Sequence, residues 1–245
     1  MAINIGNDNI SDIYIGADKI SDIYIGSELV YTQTPIYTPG MRIWYDGIKN
    51  YNGGHDISSA VWSDLSGNGT DAQVTLSGGD AWTDNGIQIN NNGTRIRVNY
   101  DLWTRPCTIE FALVVSSNYN YGTLAFEGSD RKLHGSWIGS DGRVVVRVQS
   151  SYNAAATVLT TSELHTVTIV LDGNTQRVYI DGVSSSISSK TWANSVNTFF
   201  DIFATSITTS RHIRGVAHSF RYYSSVLTDE QIAFNHTVDV RRFGE

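Results

Sequence analysis

From Met41 onward, apolar and polar positions fall into short runs broken by turn residues. Thr94–Val98, Thr108–Val115, Arg143–Gln149, Thr166–Leu171 and Gln176–Ile180 are rich in β-branched or aromatic residues, which suit a pleated, half-buried surface. Asp-Gly pairs at Asp141-Gly142, Asp172-Gly173 and Asp181-Gly182 punctuate these runs. Asp-Gly accepts the positive φ that tight hairpins demand. Many short strands with no helical period between them predict an antiparallel sandwich. One helix is predicted near the end, where Thr228-Asp-Glu-Gln231 forms a capping box: the threonine hydroxyl takes an orphan N–H and the glutamine reaches back. Leu227 and Ile232 are placed for a hydrophobic staple across the cap. Asp229 and Glu230 suit the positive end of the helix dipole, and Arg241 and Arg242 the other end. This helix is expected to seal one edge of the sandwich.

The first forty residues follow a different rule. Ile10-Ser-Asp-Ile-Tyr-Ile-Gly16 recurs as Ile20-Ser-Asp-Ile-Tyr-Ile-Gly26, with partial copies at Ile3-Asn-Ile-Gly6 and Leu29-Val-Tyr31. In a strand, Ile13 and Ile15, like Ile23 and Ile25, point one way, and Tyr14 and Tyr24 the other. Gly16-Ala-Asp-Lys19 and Gly26-Ser-Glu28 read as turns, giving two to four short strands. Strands this few and short cannot bury an apolar face alone. They pack either as a meander on the main domain or as an assembly module on copies from other chains. Thr32-Gln-Thr-Pro-Ile-Tyr-Thr-Pro-Gly40 follows, and its two prolines make it a semi-rigid linker. The boundary is expected at about residue 38, with a repeat module at 1–37 and a main domain at 38–245.

Composition narrows the classes. Residues 1–40 hold five acidic residues against Lys19, a net of −4 within a total of −7. A net negative chain argues against sequence-independent nucleic-acid binding. With a lone Cys107 no internal disulfide is available. The longest apolar stretch, Phe111–Val115, is far shorter than the roughly 18 residues of a membrane helix, so no membrane insertion is expected. The start MAINIGNDNI lacks the charge and apolar block of a secretory signal.

Several motifs resemble a known family. Trp62-Ser-Asp-Leu-Ser-Gly-Asn-Gly69 is similar to the early signature of laminin-G-like, concanavalin A-like jelly-roll domains. Leu164-His-Thr-Val-Thr-Ile-Val-Leu-Asp-Gly173 with Arg177-Val-Tyr-Ile-Asp-Gly-Val183 resembles the central hairpin of that family. Arg214-Gly-Val-Ala-His-Ser-Phe-Arg-Tyr-Tyr223 and Leu227-Thr-Asp-Glu-Gln-Ile232 are similar to its closing strand and helix. The order matches across about residues 41–240. The resemblance implies an all-β jelly-roll sandwich with a small N-terminal β-repeat module and one short C-terminal helix. Ile-x-x-Ile-Tyr-Ile-Gly repeats ahead of such a domain also resemble the starts of bacteriophage tail, baseplate and head-fibre proteins. That implies a virion protein assembled in the host cytoplasm, with other virion proteins as partners and a homo-oligomer, by analogy a trimer.

Catalytic chemistry is not expected. Glucanases of this fold need paired carboxylates on one strand, as in Glu-x-Asp-x-x-Glu, and Glu110, Glu127 and Glu163 have no such neighbours. The histidines 55, 134, 165, 212, 218 and 236 form no His-x-His or His-x-x-x-His pair, which gives zinc little support. His165 and His218 read as packed histidines. No cofactor is expected beyond calcium, for which the resemblance offers Asp46 and Asp64 as oxygen ligands; Asp64-Leu-Ser-Gly-Asn-Gly69 reads equally as an Asx-type turn. The arginines 211, 214, 221, 241 and 242 are expected on a solvated surface.

Candidate binding residues come from repeated Tyr-Asn pairs: Tyr51 with Asn52, Tyr119 with Asn120 and then Tyr121, and Tyr152 with Asn153. Tyrosine offers a rigid ring with a polar tip, and asparagine both a donor and an acceptor. That combination suits sugars, although tyrosines covering the rim and asparagines making turns would leave the same trace; Trp82, Trp103 and Trp137 are further candidates for such a surface, although large aromatics in a sandwich are more often core. The expectation is a non-catalytic virion protein that binds host or mucosal glycans through its jelly roll. The alternative is a capsid or tail decoration protein that binds no sugar.

Overall fold

The computed structural model describes residues 4–5, 8–9, 14–15, 18–19, 22–25, 28–32, 36–91, 93–100, 106–116, 122–127, 134–148, 151–189, 198–203 and 212–244. The chain divides into two compact units, Met1–Thr38 and Pro39–Glu245. In the first, strands β1 (Asn4–Ile5), β2 (Asp8–Asn9), β3 (Tyr14–Ile15), β4 (Asp18–Lys19), β5 (Asp22–Ile25) and β6 (Glu28–Thr32) pair successively as three antiparallel ladders. Ile5 opposes Asp8, Ile15 opposes Asp18 and Ile25 opposes Glu28. The repeat therefore pairs as antiparallel ladders, one every ten residues. Six strands among the described residues replace the expected two to four, because they pair two by two within each ten-residue period.

The second unit contains β7 (Met41–Asp46), β8 (Val61–Trp62), β9 (Ala72–Thr75), β10 (Ala81–Thr83), β11 (Gly86–Ile89), β12 (Arg95–Val98), β13 (Cys107–Val115) and β14 (Gly122–Glu127). It continues with β15 (His134–Ile138), β16 (Arg143–Val148), β17 (Ser151–Val158), β18 (Leu164–Asp172), β19 (Thr175–Ile180), β20 (Val183–Ser189), β21 (Phe200–Ile202), β22 (Gly215–Tyr223) and helix α1 (Asp229–Phe243). One eight-stranded sheet runs β10-β11-β22-β13-β18-β19-β20, with β7 also on β22. β11 pairs with the first part of β22 and β7 with the later part, along one edge. The other sheet runs β17-β16-β15-β14-β21-β12-β9-β8. Both are antiparallel and stack as a sandwich, as the sequence predicts.

Alternation decides which side chains meet between the sheets. Ile109, Phe111 and Leu113 of β13 join Ile96 and Val98 of β12 and Val144 and Val146 of β16 in one buried core. Trp62 of edge strand β8 is part of this core, 5.6 Å from Tyr45 and edge-on to Trp82 at 5.3 Å. Its indole N–H donates to the Asp46 carbonyl, so the ring is buried with its polar atom satisfied. The Asp181-Gly182 turn has φ of 52° and 75°, the two positive values a type I′ hairpin requires.

Helix α1 carries both predicted capping bonds, from Gln231 N–H to the Thr228 hydroxyl and from Thr228 N–H to the Gln231 side chain. It covers the outer face of the first sheet rather than an edge, and polar contacts hold it there. Arg221 of β22, only 1% exposed, donates from Nε to Glu110 at 2.9 Å and from Nη1 to Asp239 at 2.8 Å, with a second bond from Nη2 to Asp239. Asn235 donates to Glu110 at 2.9 Å and to the Tyr223 hydroxyl at 3.1 Å. Arg242 reaches Asp46, and Tyr179 donates to Asp229. The expectation of a solvated arginine surface therefore fails for Arg221 and for Arg242, which is mostly covered. β22 aims Arg221 at the face where α1 places Asp239. No helix among the described residues is long and apolar enough to cross a membrane.

Candidate functional site

Among the described residues no helix covers the outer face of the second sheet, and its ladders set residues there in rows. Val61, Gln73, Arg97, Asp201, Phe126, Gly135, Arg147 and Tyr152 are successive cross-strand partners. Partners in a ladder share a face, so this row crosses all eight strands, about 34 Å at the usual strand spacing. A second row sets Thr123, Trp137, Val145 and Ala154 beside it.

The exposed end of the first row is aromatic and cationic. Tyr152 is 55% exposed, and its ring lies edge-on to Trp137 at 6.1 Å. The Arg147 guanidinium stands 5.3 Å from the same ring. Three adjacent strands, β15 to β17, thus supply two rings and a charged fork. Further in, the Phe126 ring lies across Gly135, where a Cβ would come within 2.8 Å of its edge; any larger residue at 135 displaces the ring. Arg97 bonds the buried Asp201 at 2.8 and 3.2 Å and stacks on Phe199 at 3.9 Å. Such a surface offers flat apolar faces beside directional donors, the combination that holds a polyhydroxylated ligand.

The Tyr-Asn candidates separate. Tyr152 and Asn153 lie within β17, so their side chains point to opposite faces. Asn153 is 8% exposed and donates to the Gln176 carbonyl of the other sheet at 3.2 Å; as a ligand donor it is corrected to a link between sheets. Tyr51 is exposed at a tight turn, where Asn52 has φ 49°. The Asn52 amide bonds Ser63, next to β8, at the opposite edge of the sheet from β17. These two pairs therefore cannot form one patch. Trp103, Tyr119, Asn120 and Tyr121 lie outside the described residues. Arg147 was missed as a binding residue, and Trp137 was weighed there but read first as core, because only strand pairing brings them to Tyr152.

The calcium candidates have their oxygens engaged. Asp46 accepts the Ile48 and Lys49 amides and Arg242. Asp64 accepts the amides of Trp44, Ser66 and Thr70 and the Ser66 hydroxyl, as an Asx-type turn does. Among the described residues no group of three or more His, Cys, Asp or Glu is placed to hold a metal ion. Glu110 and Asp239, brought together by Arg221, are closed off beneath α1; burial raises the Glu110 pKa against the lowering pull of Arg221.

His165 and His218 are packed, as expected, whereas His55 is exposed. His165 bonds Asp181 through Nδ1 at 2.8 Å and the Thr160 hydroxyl and carbonyl through Nε2 at 2.9 and 3.2 Å. A carbonyl can only accept, so this pattern favours imidazolium with both nitrogens donating. Burial pushes the His165 pKa down, but the bond from Asp181, its charge and the nearby Glu163 outweigh it and leave the pKa raised. His218 bonds the Asn85 carbonyl and stacks on Phe243 at 5.1 Å; desolvation lowers its pKa.

Comparison with known proteins follows this geometry. The family model for the concanavalin A-like lectin/glucanases superfamily (Laminin_G_3) matches residues 90–233. No curated protein matches by sequence. Among solved structures, the chain resembles a Trypanosoma rangeli sialidase in complex with 2,3-difluorosialic acid (TM-score 0.64, 15% identity), covering 91% of this chain and 36% of that one. Domain 4 of AbnA, an extracellular arabinanase from Geobacillus stearothermophilus, in complex with arabinotriose, aligns at TM-score 0.60 and 18% identity, over 79% of this chain and 96% of that domain. The binding domain of botulinum neurotoxin serotype D aligns at TM-score 0.62 and 15% identity, over 82% and 52%. The chain spans about a third of the sialidase it resembles.

Proposed function

Because the chain belongs to the concanavalin A-like lectin/glucanases superfamily, we propose that it is a non-catalytic glycan-binding protein whose ligand lies on the outer face of the second sheet. The Trp137–Tyr152–Arg147 cluster carries this reading: two rings and a guanidinium converge on an exposed sheet face. Solved neighbours of the fold include a domain in complex with arabinotriose and a sialidase in complex with a sialic acid analogue. Glycoside hydrolysis needs two carboxylates flanking the bond. Glu110 and Asp239 are instead paired with Arg221 out of solvent, so the protein's work ends at binding.

The hairpin repeats at the start anchor this domain in a phage virion, in several copies, with a trimer as the simplest assembly. Two-stranded ladders are marginal alone, and identical hairpins at a fixed period suit packing on copies of themselves. Copy number then multiplies weak sugar contacts into useful avidity. A decoration protein that binds no sugar is the second reading, favoured by the exposed Val183 and Ile187 on edge strand β20.

A glycan array probed with the purified full chain tests the proposal. Binding that is lost in both Tyr152→Ala and Trp137→Ala, with unchanged melting temperature, supports it. An array without hits at high protein concentration gives the decoration reading instead.

A further inference from the structure

Asparagine followed by glycine is the dipeptide in which a side-chain amide is lost most readily, because glycine has no Cβ to hinder attack by its own backbone nitrogen. The chain holds four such pairs: Asn52-Gly53, Asn68-Gly69, Asn85-Gly86 and Asn92-Gly93. Asn92 lies outside the described residues. The other three share a motif and differ in how the fold holds them.

Asn85-Gly86 is the turn between β10 and β11. Gly86 is buried, opposite Thr83 in the ladder, and a Cβ on it would come within 2.5 Å of the Ala217 carbonyl oxygen. The Asn85 side-chain oxygen accepts the Thr83 hydroxyl at 3.3 Å, and its backbone carbonyl accepts His218 at 2.8 Å. The peptide plane that would have to turn is held on both sides. Asn68 is exposed, but its Nδ2 faces the Met41 and Arg42 carbonyls at 3.3 and 3.2 Å and the Ser66 hydroxyl at 2.9 Å. The nitrogen that would leave is tied down.

Asn52 carries no such tie among the described residues. Residues 51–55 are all exposed. Tyr51 N–H donates to the Gly54 carbonyl at 3.1 Å and Gly54 N–H to the Tyr51 carbonyl at 2.8 Å. Asn52 and Gly53 are the two central residues, with φ of 49° and 77°, as in a type I′ turn. The Gly53 N–H takes part in neither bond. A Cβ on Gly53 would meet nothing within 4 Å, so its peptide plane has room to turn.

We propose that Asn52 is a site of spontaneous modification, at which the folded chain converts its own side-chain amide to aspartate and isoaspartate without an enzyme. The Gly53 nitrogen attacks Asn52 Cγ. The N–Cγ bond forms, the Cγ–Nδ2 bond breaks, and the Gly53 amide proton leaves with Nδ2 as ammonia. Water then opens the cyclic imide. Addition at Cγ gives aspartate; addition at the backbone carbonyl routes the main chain through the side chain and gives isoaspartate. Either product adds one negative charge beside Tyr51, in a chain already at −7. Isoaspartate also lengthens by one methylene a turn whose flanking bonds span two residues. Nothing in this step depends on glycan binding.

The test incubates the full chain at neutral and mildly alkaline pH, well below its melting temperature. Peptide mapping by mass spectrometry, with labelling by isoaspartyl methyltransferase, follows each pair. Asn52 is expected to convert faster at the higher pH, since the amide nitrogen attacks as its anion. It is also expected to outpace Asn68 and Asn85 by about tenfold or more, because each of those must first break its hydrogen bonds. In urea the three rates are expected to converge. Asn52→Asp should co-migrate with the aged protein in native electrophoresis, and Asn52→Gln, with an unchanged melting temperature, should not age at this turn. Conversion at Asn68 or Asn85 that matches Asn52 in the folded chain overturns the assignment. So does an unchanged Asn52 while a free Tyr-Asn-Gly-Gly peptide converts, or a rate difference that persists in urea.

Discussion

Replacing Arg221 by methionine removes the cation on which two buried carboxylates depend. Glu110, Arg221 and Asp239 are each no more than 2% exposed, and Arg221 supplies three hydrogen bonds to the two acids. Methionine fills much of the same volume, so the cavity contribution is small. What remains is a pair of carboxylates beneath α1 with Asn235 and Thr168 as partners for Glu110 alone. Breaking a buried ion pair by deleting one partner costs about 3–5 kcal/mol, against a total domain stability of roughly 5–15 kcal/mol. Urea unfolding measures this directly. All six tryptophans lie after residue 40, so their fluorescence reports the sandwich without the hairpin module. The midpoint is expected to fall sharply with little change in slope. The triple variant Glu110→Leu, Arg221→Met, Asp239→Leu is expected to recover most of the loss, since apolar replacements of buried ion clusters are often neutral or stabilising. A cost below about 1 kcal/mol for Arg221→Met would mean that water reaches the acids and that the helix is not sealed against the sheet.

Other consequences are as direct. The raised pKa of His165 adds stability that is complete below the unfolded histidine value of about 6.5 and fades as pH rises through the higher folded value. His165→Asn should therefore cost more at mildly acidic than at mildly alkaline pH, read as melting-temperature differences from the wild type; equal differences contradict the imidazolium. Gly215 has φ 142°, and a Cβ there would meet the Val114 carbonyl oxygen at 1.8 Å. Gly215→Ala should lose more than about 1 kcal/mol, checked by the same urea titration. Removing residues 1–38 should leave the sandwich folded and lower the assembly's mass to that of the monomer; unchanged mass by light scattering excludes the hairpins as the assembly element.

Much of the sandwich is legible in the sequence because its inner rows need alternation and its turns need particular residues. The predicted Thr108–Val115 run becomes Cys107–Val115, and Thr228 and Gln231 cap α1 as their spacing requires. The repeats were visible as repeats, but not their pairing into three separate ladders, since strands of two to five residues carry too few positions to show where one ends and the next begins. The site was less legible. Tyr152 and Asn153 read as one recognition pair, yet neighbours in a strand face apart, and both lie within β17. Trp137 and Arg147 reach Tyr152 only through ladders linking residues scattered along the chain. Glu110 inside an apolar run was a signal for a buried partner, and Arg221 is its cross-strand neighbour. Neither residue names the other without the register.

Among the described strands β7 pairs with β22: the Ser219 hydroxyl bonds the Tyr45 carbonyl, 174 positions earlier. During synthesis at the usual 5–20 residues per second, roughly ten to thirty-five seconds separate the two strands. Met41–Asp46 must wait through that interval with its ladder bonds unmade. The sandwich thus closes late on the ribosome, and a stall before residue 219 leaves a sticky strand for chaperones to shield.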